Sequence, residues 1–134
     1  MKRFLLIDDD VVFNYIHTEV IKRLVEDAHV QTFNAPIEGL EYIRSIVTRG
    51  DELPELLFLD IRMPEIDGFE FLKELTTFPE GSLEGMAIYM LTSSLDDRDK
   101  MKAFQSTLVR GFKNKPLTEL KLLEIFEELK SEVK

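Results

Sequence analysis

Short apolar runs that stop abruptly at carboxylates or hydroxyls recur along the chain, separated by stretches with helical spacing. The sharpest is Leu56 to Leu59, four consecutive apolar residues ending at Asp60, with Pro64 and Gly68 beyond. A run of this kind, bounded by turn residues, predicts a strand buried on both faces, as in parallel sheets. Pro64 offers no ladder hydrogen bond, so the strand ends before it and Asp60 lies at its carboxyl end. Arg3–Ile7 predicts a first strand, stopping at Asp8, Asp9 and Asp10. His29–Phe33 alternates and predicts a second strand with some solvent exposure. Residues 86–91 predict a fourth, ending at Thr92, Ser93 and Ser94. Residues 108–113 predict a fifth, ending near Asn114, Lys115 and Pro116.

Between the strands the period changes. Over 11–27, Val12, Ile16, Val20 and Leu24 fall at every fourth position, and Phe13, Ile21 and Val25 widen the stripe, predicting an amphipathic helix. Asp10 or Asp9 caps its amino end, and the cap is the role expected of Asp10. Asn34 as N-cap and Pro36 in the first turn open a second helix. Its stripe is Ile37, Leu40, Ile43 and Val47, and it stops near Gly50. A polar connection, 51–55, leads into the central strand. A short third helix spans about 68–76 with Phe69, Leu72 and Leu75 inward. Residues 77–85 are a loop by their Pro and Gly content. The fourth helix, 95–107, carries a thin stripe of Leu95, Met101 and Phe104, and its charge run 96–100 reads as a solvated face. The last helix, 117–131, turns Leu122, Phe126 and Leu129 inward. Five βα units in succession predict an α/β fold, a flavodoxin-like doubly wound parallel sheet of five strands in the order 2-1-3-4-5.

Composition narrows the function. At 134 residues the chain is read as one domain, 1–134, large enough for a real core. A net charge of −9 argues against nucleic acid and against anionic membrane surfaces. The absence of cysteine excludes disulfides and thiolate metal sites. The only early apolar run, 4–7, is too short for a signal peptide, and no later run could span a bilayer, so a cytoplasmic location is expected.

Every candidate for chemistry follows a strand. In a parallel sheet these ends share one edge, and strand order 2-1-3-4-5 sets Asp8 and Asp9 beside Asp60 at the switch point. Crowded carboxylates repel unless a cation sits among them. Oxygen ligands without Cys or His suit Mg²⁺, with Mn²⁺ tolerated. Lys115 adds a point charge and Thr92 a hydroxyl donor, both useful on an incoming phosphoryl group, with Asp60 as carboxylate nucleophile. His17 and His29 show no partner in the sequence, and no catalytic role is expected of either.

Four motifs in order carry a resemblance: Leu5 to Asp9, Leu59 to Pro64 with Asp67 and Gly68, Leu91 to Ser93, and Gly111 to Pro116. Over essentially its whole length the chain resembles the receiver domain of two-component response regulators. The resemblance implies that Asp60 is the phosphoacceptor and that Asp8 and Asp9 bind Mg²⁺ with Asp60 and the Arg62 carbonyl. Thr92 and Lys115 would hold the phosphoryl oxygens, and Phe112 falls at the aromatic switch position. The Lys115–Pro116 bond corresponds to the family's cis peptide, and Arg62 and Ser94 occupy positions that tune hydrolysis. The partners implied are a sensor histidine kinase or histidine phosphotransfer protein and an unspecified downstream protein. The protein is then a stand-alone signalling domain, monomeric or weakly dimeric, rather than an enzyme acting on a separate substrate. It catalyses only its own phosphorylation and dephosphorylation, and signals through the face of helix 4, strand 5 and helix 5.

Three other readings are disfavoured. A haloacid-dehalogenase-type phosphatase needs an Asp where Arg62 stands. A flavin module needs a phosphate loop where three aspartates would repel one. An interaction module that has lost phosphorylation would not need the complete set Asp8, Asp9, Asp60, Thr92 and Lys115.

Overall fold

The computed structural model describes residues 1–93 and 97–132. Strands and helices alternate as β1 (Arg3–Ile7), α1 (Val11–Leu24), β2 (His29–Phe33), α2 (Pro36–Arg49) and β3 (Leu56–Asp60). They continue as α3 (Gly68–Leu75), β4 (Ala87–Thr92), α4 (Asp97–Phe104), β5 (Val109–Asn114) and α5 (Glu119–Glu132). The five strands form one sheet in the order β2-β1-β3-β4-β5, every pair parallel. This is the flavodoxin-like arrangement that the βα alternation predicts.

Each face of the sheet carries its own hydrophobic cluster. Leu5, Ile7, Leu57 and Leu59 point toward α2 and α3, meeting Leu40, Ile43, Phe71 and Leu75. Phe4, Leu6, Leu56 and Phe58 point the other way, toward α1 and α5, meeting Val20, Ile21, Leu122 and Ile125. All five residues of β3 are buried, and Leu56 to Leu59 are accordingly apolar without alternation.

Helix faces depart from the sequence reading in four places. On α1 the inward residues are Asn14, His17, Val20 and Ile21, whereas Val12 is 65% exposed and Ile16 38%. On α3, Phe71 is fully buried and Phe69 only partly so. On α4, Asp99 and Ala103 face inward and Met101 is 67% exposed, so the charge run is not simply a solvated face. Leu95, Asp96, Ser94 and the Phe104 side chain lie outside the described residues. Finally, Ala35 rather than Asn34 occupies the N-cap of α2 and makes no side-chain cap bond, while Ile37 is exposed. The loop 77–85 is a series of tight turns anchored by buried Phe78, with the Arg44 guanidinium 4.7 Å over its ring. No helix among the described residues is long and apolar enough to cross a membrane.

Candidate functional site

Parallel pairing delivers separate carboxylates to one edge. The register sets Ile7 opposite Leu59, so Asp8 and Asp60 emerge side by side. Asp60 pairs with Leu91, which puts Thr92 one residue further along the neighbouring strand, and Thr92 pairs with Asn114. One carboxylate oxygen each from Asp8, Asp9 and Asp60 lies within 4.8 Å of the other two. Asp8 and Asp60 are buried and Asp9 is exposed. Thr92 is buried as well.

Local bonds fix Asp8. Its backbone N–H donates to the Phe33 carbonyl (3.1 Å). Asn14 Nδ2 donates to the carbonyls of Asp8 (2.9 Å) and Phe33 (3.2 Å), tying α1 to the ends of β1 and β2. Asp8 Oδ1 accepts from the Asp10 backbone N–H (2.9 Å). Asp10 itself turns to the helix, where its Oδ1 accepts from the N–H groups of Val12 and Phe13, the cap expected of it.

Lys115 reaches in from the turn after β5. Its ammonium lies 2.6 Å from Asp8 Oδ2 and 3.2 Å from Asp60 Oδ1, with the side chain 5% exposed. Several contacts hold that turn. The Lys115 N–H donates to the Thr92 carbonyl (2.8 Å), and Lys121 Nζ donates to the carbonyls of Asn114 (2.9 Å) and Pro116 (3.0 Å). The Lys115–Pro116 peptide is cis, as the resemblance implies.

One ammonium faces three carboxyl groups. Burial and then the Asp8 carboxylate push the Asp60 carboxyl up to about 7, against the pull of Lys115. Buried anions short of positive charge, offering oxygen donors only, fit a small hard dication. Asp8, Asp9 and Asp60 could hold one.

Three features escape sequence reasoning. Arg62 Nη2 donates to both carboxylate oxygens of Asp99 on α4 (3.0 and 2.7 Å), and so links the loop after Asp60 to that helix. Phe112 is half-buried, packs against the α2/α3-side cluster and has the Lys100 ammonium 5.9 Å from its ring. His17, 1% exposed, has a partner after all, since its Nε2 accepts from the Leu117 N–H (3.1 Å). No sequence signal joins residues so far apart.

Burial lowers His17 to about 4. Between pH 6.5 and 4 the unfolded chain therefore takes up a proton that the folded chain refuses, and stability falls as pH drops through that window. After screening by solvent, about 2 kcal/mol is expected to be lost. Because protonation of Asp60 stabilises the fold over the same window, the loss is read as a difference: in urea unfolding, the wild type should fall about 2 kcal/mol relative to His17→Gln between pH 7 and 4.

A family profile described as response regulator receiver domain matches residues 4–127. The chain is 28% identical over 126 residues to the probable methanogenesis regulatory protein FilR2 of Methanothrix harundinacea, covering 94% of this chain and 79% of that one. It is 31% identical to a protein-glutamate methylesterase/protein-glutamine glutaminase of Methanospirillum hungatei, covering all of this chain but 36% of that one. The crystal structure of a two component response regulator from Cytophaga hutchinsonii superposes with a TM-score of 0.87 at 28% identity, covering 98% of this chain and 100% of the other.

Proposed function

The chain belongs to the response regulator receiver family, and from that premise we propose that Asp60 accepts a phosphoryl group from a phosphohistidine on a kinase or phosphotransfer protein. The observation that carries this reading is the buried Asp60 carboxyl with the Lys115 ammonium 3.2 Å from its Oδ1 and two further aspartates beside it. An Asp60 oxygen attacks phosphorus as the donor's N–P bond breaks, and the imidazole leaves with the electron pair. Lys115 and the Thr92 hydroxyl meet the developing charge on the phosphoryl oxygens.

Asp8, Asp9 and Asp60 with the Arg62 carbonyl would hold Mg²⁺, or Mn²⁺ on the same donors. The bound ion supplies charge neutralisation for the transferring group. Water then cleaves the acyl phosphate, so the domain turns over only its own modification. Acetyl phosphate should label the protein in Mg²⁺ and not in EDTA, with the label on Asp60. Label on another residue, or none, would sink the assignment.

The finer reading is a receiver that signals through α4, β5 and α5. Two contacts support it: Arg62 with Asp99, and Lys100 over Phe112. Beryllofluoride should then shift NMR resonances across 97–111 and 117–130. Changes confined to the pocket would defeat that route.

A further inference from the structure

We propose that Phe13 and His17, one turn apart on α1, are positioning residues for Lys115; the proposal rests on the role given to Lys115 above. The Phe13 ring centroid lies 4.6 Å from the Lys115 ammonium and 5.5 Å from the His17 ring, stacked at an interplanar angle of 28°. His17 Nε2 in turn accepts the N–H of Leu117, two residues beyond Lys115. One short stretch of helix thus touches both the charged tip of Lys115 and the backbone that carries it.

Ordinary packing does not account for these rings. Phe13 is half-buried and, among the described residues, belongs to neither hydrophobic cluster of the sheet, and His17 is a buried polar group, 1% exposed. An ammonium has three donors, and two are directed at Asp8 and Asp60. The aromatic face meets the remaining side of a cation from which water is largely excluded, an attraction that strengthens with desolvation. A side chain with four rotatable bonds has many arrangements to lose, and the ring removes those that lead out of the pocket. The neutral imidazole fixes the other end: as an acceptor it satisfies a buried N–H that would otherwise be unpaired.

The test compares ring-preserving with ring-deleting variants of the full chain. Phe13→Leu should slow Mg²⁺-dependent labelling by acetyl phosphate about fivefold to tenfold, and Phe13→Tyr should restore it to within about twofold. His17→Leu should slow labelling similarly and His17→Gln, which keeps an acceptor, should restore it. A direct readout is the NMR shift of the Lys115 ε-methylene protons, ring-shifted upfield of the other lysines in the wild type and in Phe13→Tyr and returned to the common position in Phe13→Leu. Should Phe13→Leu fail to fold, Phe13→Met, close to it in volume, carries the same test. Wild-type labelling and wild-type Lys115 shifts in the ring-less variants would overturn the proposal, as would a Tyr variant no better than Leu. If the wild type itself takes up no label, the role of Asp60 fails, while the Lys115 shifts, which need no phosphate, still decide the role of Phe13, and their displacement in His17→Leu but not in His17→Gln decides that of His17.

Discussion

Asp60→Asn takes up no phosphoryl group, and at pH 8 without metal it unfolds at a higher temperature than the wild type. The two effects have one origin. Burial and Asp8 push the Asp60 carboxyl up to about 7, far from the 3.8 of an unfolded chain. The folded protein holds a proton that the unfolded chain releases, so ionising Asp60 costs stability as pH rises from about 4 to 7, and the whole cost is present above 7. At full strength the shift corresponds to about 4 kcal/mol, and solvent reaching the cluster past exposed Asp9 screens it to about 2. Asn at this position carries no charge and escapes the penalty. A gain of about 6 °C is expected at pH 8, shrinking to nothing below pH 4. Added Mg²⁺ should stabilise the wild type more than the variant, which lacks one of the three carboxylates. Calorimetric scans across pH, with and without Mg²⁺, test this; a variant less stable than the wild type at pH 8 would mean that the acidic cluster is not under strain.

Why the strands and their terminal aspartates are legible in the sequence follows from the same burial. Leu56 to Leu59 are apolar without alternation because β3 has a helix layer on each face. A strand leaving such a core meets water suddenly, and the change of residue type marks the point. Once the βα order implies a parallel sheet, the chemistry at each strand end needs no further information to converge. Asp8, Asp9, Asp60, Thr92 and Lys115 all come to the edge where that reasoning puts them.

Helix faces are harder, because a polar residue is buried or exposed according to partners that exist only in the folded chain. Val12 and Ile16 make the more apolar stripe on α1, yet Asn14 and His17 turn inward. The partners of Asn14 are carbonyls at the ends of β1 and β2, and that of His17 is an N–H a hundred residues along the chain. Asp99 is the same case, being buried where the Arg62 guanidinium meets it with two hydrogen bonds. Burying these groups unpaired would cost more than exposing a valine or an isoleucine, and single apolar side chains at a surface cost little. Hydrophobic periodicity counts apolar residues and so misses all three.

Gly68→Ala should cost about 2–3 kcal/mol and slow phosphoryl uptake by tenfold or more, although the residue contributes no functional group. The capping box of α3, in which Asp67 Oδ1 accepts from the Glu70 N–H and Glu70 Oε1 accepts from the Asp67 N–H, starts the helix directly beneath Asp60. Gly68 closes the approach with an N–H donated to the Ile61 carbonyl (2.8 Å). A Cβ there would lie 2.6 Å from the Asp60 carbonyl oxygen, 3.0 Å from the Ile61 Cα and 2.7 Å from Met90 Cε. The methionine tip can swing aside, but the two backbone atoms can move only by displacing Asp60 itself. Overpacking of this kind costs on the order of 1–3 kcal/mol, and misplacing a reacting group by about 1 Å costs on the order of a hundredfold in rate. Gly39→Ala is the matched control, since its Cβ would meet only the Ile7 side chain, at 2.6 Å from Cδ1. That end of an isoleucine can repack, so a loss of about 1 kcal/mol with unchanged uptake is expected. Urea unfolding and labelling rates of both variants separate the effects: equal uptake in Gly68→Ala and Gly39→Ala would mean that α3 does not set the position of Asp60, and that the close approach at Gly68 serves packing alone.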